Sequence, residues 1–288
     1  MIELIVNPTA GNGRSMATCE AVVRRLKELN VQHVLHQTSR PGHATEIARD
    51  AASRGVQTVV AIGGDGTVTE TAAGLNGTQT ALGIIPSGTG NDFIKSACIP
   101  TEWEKALDVI LNRPAKPVNS GVINNQFFIN VCGTGLDVMA LDYAERAKKV
   151  VHGILPYLYG VLCAIFKYKP VQMHIEIGDD TVMDGKFMVC SVANGRFFGG
   201  GIPIAPQAAL TDGMLDVLVV DAVPRWKLPA YLVLLLMGKL NRCKVAHSFL
   251  ATHCKLSCDG MRLNLDGEIL PMKSAEFFCR PDSLLLHW

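Results

Sequence analysis

The sequence predicts an α/β fold in two parts, a doubly wound parallel sheet followed by a mostly antiparallel β domain. Three observations carry this. Strand-like and helix-like runs alternate over roughly the first 115 residues. The rhythm changes after Pro117 to short β-branched runs punctuated by turn residues. A glycine-rich turn, Gly63-Gly64-Asp65-Gly66-Thr67, follows directly on an apolar run at 58–62.

The elements of the first part follow from spacing. Residues 2–6 read as a strand. Residues 15–30 read as an amphipathic helix, with Val22, Val23, Leu26 and Leu29 on one face and Arg24, Arg25, Lys27 and Glu28 on the other. Residues 33–37 are a second strand. Residues 43–53 carry Ala44, Ile47, Ala48 and Ala51 at helical spacing, with Gly55 just past the end. Residues 58–62 are the third strand, with a helix at 68–75 after the glycine turn. Residues 81–85 are the fourth, running into Pro86-Ser87-Gly88-Thr89-Gly90-Asn91-Asp92. Thr101-Glu102-Trp103-Glu104 reads as a capping box opening a helix to about Asn112. Strands that alternate with helices form a parallel sheet, and such sheets bind ligands at the carboxyl ends of their strands. Four polar or glycine-rich loops lie at those ends, at 7–13, 38–42, 63–67 and 86–92.

The second part shows strand-like runs at 118–123, 126–131, 171–177, 185–193, 215–220, 254–258, 261–265 and 275–280. One helical insertion is expected at about 136–168, and one apolar helix at about 227–240. The expected domains are 1–118 and 119–280, with 281–288 free to return to the first.

The chain has 288 residues, 48% of them hydrophobic, and a formal net charge of +1. A near-neutral chain gives no general reason for nucleic-acid binding, and none is expected. The nine cysteines are scattered, and the nearest pair, Cys254 and Cys258, lacks a matching second pair. They read as reduced thiols of a cytosolic protein. Met1 opens straight into a strand, so no signal peptide is expected. The apolar stretch 228–237 is shorter than the ~20 residues a bilayer span needs. The stretch 150–166 is interrupted by His152, Gly153, Pro156 and Gly160, so no transmembrane segment is expected.

A glycine turn between strand and helix offers backbone N–H groups and a positive helix end to phosphate. A carboxylate in that turn, Asp65, would repel a bare phosphate and suits a Mg²⁺ ion lying between them. Carboxylates at Asp137, Asp212 and Asp216 are hard donors of the same kind. Asp212-Gly213 and Asp266-Gly267 also read as plain turns, and Asp92 as a helix cap.

Taken with Asn7-Pro8-Thr9-Ala10-Gly11, Gly133-Thr134-Gly135-Leu136-Asp137, Gly199-Gly200-Gly201-Ile202-Pro203, Asp212-Gly213-Met214-Leu215-Asp216 and Asp266-Gly267-Glu268, these motifs make the chain resemble the diacylglycerol kinase catalytic-domain family. The likeness covers nearly the full length and is closest to the soluble bacterial lipid kinases, relatives of sphingosine and ceramide kinases. It implies a Rossmann-like first domain and a β-sandwich second domain, the NAD kinase/diacylglycerol kinase-like fold.

The resemblance implies an ATP- and Mg²⁺-dependent lipid kinase acting on diacylglycerol or a similar lipid. It places Asn7, Thr38, Gly63, Gly64, Asp65, Gly66, Thr67, Glu70, Thr89, Gly90 and Asn91 at the nucleotide. It places a metal at the carboxylate of Asp212 and the backbone carbonyls of Ala209 and Met214, with Asp216 and Asp137 linked to Asp65 through waters. Glu268 takes the family's general-base position, with Asp65 as the second catalytic residue. Replacing Asp65 or Glu268 with Ala is expected to spare folding. The family works at the inner face of the membrane as a cytoplasmic, peripheral protein, and a homodimer is compatible with it. Lys148, Lys149, Lys167 and Lys169 flank one apolar helix, and Arg225, Lys227, Lys239, Arg242 and Lys244 bracket another, as suits an anionic bilayer surface. Asn119 stands where the family often has Asp. Rival readings are an NAD kinase-like or other small-molecule kinase, whose Asn-Glu and Thr-Gly-Ser-Thr-Ala-Tyr patterns are missing here, and a non-catalytic sensor, which should have lost Asp65, Asp212 or Glu268.

Overall fold

The computed structural model describes residues 1–147 and 155–288. They form two compact units, Met1–Ser120 with Pro281–Trp288, and Gly121–Arg280. Lys148, Lys149 and the start of the 150–166 stretch lie outside the described residues. The α/β class and the β character of the second part hold.

The first unit contains β1 (Ile2–Val6), α1 (Arg14–Glu28), β2 (His33–Gln37), α2 (His43–Ser53), β3 (Thr58–Gly63), α3 (Asp65–Leu75), β4 (Ala81–Pro86), α4 (Asp92–Ser96) and α5 (Trp103–Asn112). Its strands pair in parallel, in the order β4-β3-β1-β2. The returning residues Leu285 and Leu286 pair in parallel with Ala81 and Leu82 on the far side of β4. Every residue of β3 and β4 is buried, because helices cover both faces of a parallel sheet. The edge strand β2 is half exposed. The register aligns Val6 with Gln37 and Ile62, and Gly63 with Pro86. Four loops therefore leave one edge of the sheet, and strand order reverses between β1 and β3, where such folds take ligands.

Two helix starts differ from the sequence expectation. α3 begins at Asp65, not at Val68, so the glycine motif is itself the first turn of the helix, with Gly64 extended at its N-cap. α5 begins at Trp103, with Glu102 as N-cap and no side-chain capping bond. The Thr101–Glu104 spacing is therefore one residue out of register for a reciprocal box.

The second unit is built from β5 (Lys116–Ile123, entering from the first unit), β6 (Gln126–Phe128), β7 (Val131–Gly135), α6 (Leu136–Ala147), α7 (Leu155–Lys167), β8 (Val171–Ile177), β9 (Thr181–Ala193), the short β10 (Phe197–Phe198) and β11 (Ile202–Pro203), β12 (Leu215–Asp221), α8 (Leu228–Leu236), β13 (Ala246–Ala251), β14 (His253–Cys258), β15 (Arg262–Leu265), β16 (Glu268–Pro271) and β17 (Ser274–Leu286). The pairings within this unit are antiparallel. The long β9 pairs β8 along its first half and β7 and β12 along its second. One face buries Phe128, Ile175, Phe187, Val192, Leu256 and Phe277. Phe128 and Phe277 meet edge to face at 6.2 Å, and each such burial contributes roughly 1.5–3 kcal/mol. The other face buries Val131, Met188, Leu218 and Val220 under Leu228 and Leu240.

Other expectations shift for identifiable reasons. The run 126–131 is two strands, because the N–H groups of Ile129, Asn130 and Val131 all donate to the Asp266 carboxylate, at 2.9, 3.1 and 2.9 Å. The helical insertion is two helices, α6 and α7. The apolar helix ends at Leu236, where Gly238 (φ 66°) and Lys239 donate to Leu235 and Leu234 at 2.9 and 2.8 Å, a Schellman stop. β10, β11, β13 and β16 are additional strands.

Candidate active site

The first unit brings three of the four loops into contact. A Cβ on Gly11 would lie 2.0 Å from the Ser87 carbonyl oxygen, and one on Gly88 would lie 2.4 Å from Gly64 Cα. Only glycine permits these approaches. Asn7 accepts from Thr9 through both N–H and hydroxyl, at 3.1 and 2.9 Å, which braces the first loop. Asn91 adopts φ 52° and donates its amide to Gly88 O at 3.1 Å, closing the fourth loop on itself. Gly66 and Thr89 are exposed at this edge. A Cβ on Gly66 would meet nothing within 4 Å.

Asp65 links the third and fourth of these loops. Its Oδ1 accepts the N–H groups of Asp92 at 2.7 Å and Phe93 at 3.3 Å, which are the first donors of α4. Gly90 makes room for the carboxylate, since a Cβ there would lie 2.8 Å from Oδ2. Burial and the neighbouring Asp92 charge push the Asp65 carboxyl up from its ordinary value, against these N–H groups. The α4 cap is thus Asp65, reaching across from another loop. Asp92 is the first residue of the helix and pairs with Lys95 at 3.4 Å.

Three more of the expected nucleotide residues are placed as follows. Thr67 is buried, with its hydroxyl turned back toward Gly63. Glu70 accepts the Ala44 N–H at 3.2 Å, within the first turn of α2. Thr38 follows the edge strand β2, whose N–H bond goes to Val6 O at 2.9 Å, two strands from the glycine turn.

In the second unit, Asp137 opens α6 and folds back onto β7; a Cβ on Gly133 would lie 2.7 Å from its Oδ2. Burial raises its carboxyl to about 6, opposed by the N–H groups of Val138 and Asp137 and by the Asn264 side chain, and Oδ1 is buried without a partner. Asp212 accepts the Met214 N–H at 3.0 Å across Gly213 (φ 73°). Burial, then the Asp212 charge, raises Asp216 to about 6, with Arg196 opposing. Ala209 and Met214 flank Asp212 in the same loop. Two mutually repelling carboxylates with adjacent carbonyls form an all-oxygen donor set that fits Mg²⁺ retaining several waters. No group of three or more His, Cys, Asp or Glu side chains able to hold a metal occurs among the described residues.

Glu268 opens β16 opposite Leu265 and is exposed. Asp266 (φ 46°) and Gly267 (φ 101°) form the two-residue turn before it. A cross-strand row runs Glu268, Leu265, Cys132, Val192, Val217. Sequence reasoning missed Asp266 as the acceptor of three backbone donors. It also missed Asn264, which holds Asp137 on one side and the Gly267 N–H at 2.9 Å on the other. A residue two before an Asp-Gly turn carries no composition signal for either role.

An apolar pocket opens on the face beneath α8. Val131, Leu136, Met188, Val220, Leu232 and Leu235 are among its walls, and Asp137, Ser191 and Tyr231 bring polar groups to it.

Known proteins match this architecture. Residues 1–123 match the diacylglycerol kinase catalytic domain, and residues 130–287 match the YegS C-terminal NAD kinase beta sandwich-like domain. The chain is 31% identical over 289 residues to a Bacillus subtilis diacylglycerol kinase, covering 95% of this chain and 91% of that protein. It is 31% identical over 300 residues to a Xanthomonas campestris protein named "Probable lipid kinase YegS-like", covering 99% and 94%. A solved Bacillus anthracis protein, itself proposed to be a diacylglycerol kinase, superposes with a TM-score of 0.83 at 26% identity, covering 100% of this chain and 96% of that one. An Archaeoglobus fulgidus NAD kinase shares the fold at a TM-score of 0.57 and 11% identity, covering 100% and 94%. This chain belongs to the diacylglycerol kinase/YegS-like family of lipid kinases.

Proposed function

We propose that the protein transfers the γ-phosphate of ATP to the free hydroxyl of diacylglycerol or a similar neutral lipid, giving phosphatidate or its analogue. The observation that carries this is the apolar pocket of the second unit, with polar groups from Asp137, Ser191 and Tyr231. Pockets of this kind take acyl chains along their walls and orient one polar group.

In this reading the N–H groups of the first turn of α3, at Gly64, Gly66 and Thr67, bind the triphosphate, and Asn7, Gly63, Thr89, Gly90 and Asn91 shape the surface around it. Thr38 and Glu70 act from the rim, Glu70 by fixing α2. The Asp212–Asp216 loop with Ala209 and Met214 would hold Mg²⁺, whose charge, when it is bound, would offset that of neighbouring oxygens. Glu268 accepts the hydroxyl proton as the new O–P bond forms.

The test is transfer of radiolabelled γ-phosphate to a panel of diacylglycerol, ceramide, sphingosine and phosphatidylglycerol. Labelled phosphatidate as the main product is expected. ATP binding without transfer to any of them would overturn the reading.

A further inference from the structure

The α8 segment has two faces with different surroundings. Leu228, Tyr231, Leu232 and Leu235 line the apolar pocket. On the opposite side Val233, Leu236 and Met237 are 55%, 52% and 55% exposed, and Trp226, one turn before the helix, is 77% exposed. An apolar helix of nine residues that shows such a face to solvent has an unburied surface to cover.

The charge around that face is one-sided. Arg225, Lys227, Lys239, Arg242 and Lys244 are all exposed, and no Asp or Glu occurs from 222 to 258. No ion pair joins any of the five to a carboxylate among the described residues. Lys227 Nζ instead lies 5.1 Å from the Trp226 ring centroid. A second helix on the same pocket repeats the pattern: α7 contributes Val161 to the wall and exposes Tyr159, Leu162 and Phe166, with Lys167 at its end.

We propose that the exposed face of Trp226, Val233, Leu236 and Met237 inserts into the interface of an anionic bilayer, and that α8 is the wall through which lipid passes into the pocket. The occupant follows from the pairing of apolar and basic groups. A nine-residue helix is far too short to span and lies in the interfacial plane. Cations beside it meet anionic head groups. Nucleic acid would use the cations and leave four large apolar side chains in water. A second copy of this chain would bring five like charges against five. The lipid-kinase reading supplies the cargo, whereas the docking itself rests on the surface alone.

The experiment uses the full chain. Vesicles of phosphatidylcholine, with and without phosphatidylglycerol, are sedimented with wild type, Trp226→Ala and Leu236→Ser, and brominated lipids are used to quench Trp226 fluorescence. Binding to the phosphatidylglycerol vesicles, salt-sensitive, with Trp226 quenched, is expected. Each substitution should weaken partition by about tenfold or more, with an unchanged melting temperature because both side chains are exposed. Wild type that ignores both vesicles, or variants that partition like wild type, would overturn the proposal. So would a dimer in solution that Trp226→Ala dissociates without change in vesicle binding. Phosphotransfer to short-chain diacylglycerol kept monomeric separates the two readings. Variants that keep this activity while losing turnover on vesicles support docking. Absence of short-chain activity in a wild type that binds vesicles would remove the kinase reading and leave docking standing.

Discussion

The Asp65 carboxylate accepts the backbone N–H of Asp92 at 2.7 Å, so the carboxylate in the glycine turn caps a helix that starts 27 residues later. This explains why a negative charge is tolerated in a loop built for phosphate: one of its oxygens is already committed to N–H donors. It also changes what its removal does. Asp65→Ala takes away a cap and lowers stability by about 1 kcal/mol, a loss that leaves the chain folded. Asp65→Asn keeps an oxygen for the same donors. We expect both variants to lose turnover about a hundredfold or more, and only the Ala variant to shift in urea denaturation. Equal destabilisation by both would contradict the capping role.

Gly66 separates phosphate approach from folding. It lies inside α3 without a positive φ, and a Cβ there meets nothing. Gly66→Ala should raise stability by about 0.5–1 kcal/mol, as for any exposed helical glycine, and still weaken ATP binding by titration calorimetry. Unchanged ATP affinity would move the triphosphate elsewhere.

The Asp212–Asp216 loop gives a pH-dependent magnesium signature. A carboxyl held at about 6 in the fold and near 3.8 when unfolded binds its proton more tightly in the native state. Stability therefore falls as pH rises from about 4 through about 6. In chelator, Asp216→Asn should melt higher than wild type at pH 7.5 and at the same temperature at pH 4. Added Mg²⁺ should stabilise wild type at pH 7.5 and close the gap. A gap that Mg²⁺ leaves unchanged would remove the metal from this loop.

The first unit contains an ion pair whose balance can be tested. Glu3 on β1 is fully buried and accepts Arg54 through both guanidinium nitrogens, at 2.7 and 2.9 Å, and His36 at 2.9 Å. The Arg54 bond, then His36, holds the Glu3 carboxyl below its ordinary value in spite of burial. A lowered carboxyl stabilises above that ordinary value, 4.5, and the contribution is lost as pH falls below it. Arg54→Ala should lower the melting temperature at pH 7, because it leaves a buried charge under-compensated. Adding Glu3→Gln should recover part of that loss. An additive, larger loss in the double variant would mean that the pair is not coupled.

Much of the first unit was legible because its code is local. Apolar runs and helical spacing placed β1 to β4, α1 and α2 within a residue or two, and the glycine turn marked the ligand edge. Helix starts were less legible. Gly64 and Glu102 take cap positions by backbone conformation, without a capping side chain that composition could reveal. The second unit depended on long-range partners. The break at Ile129–Asn130 exists because Asp266, over 130 positions later, takes the N–H groups there. Asp137, Asp212 and Asp216 were legible as carboxylates, but their environments come from register and burial. Glu268 was legible only through its likeness to a motif, since an exposed Glu after an Asp-Gly turn has no local mark.

The most direct test of the account is γ-phosphate transfer to diacylglycerol by Glu268→Gln. Glu268 is an exposed first residue of an edge strand, so the substitution should leave the melting temperature and ATP affinity as in wild type. The account predicts that turnover falls by about a hundredfold or more. Transfer at near wild-type rate by a folded Glu268→Gln protein would contradict it.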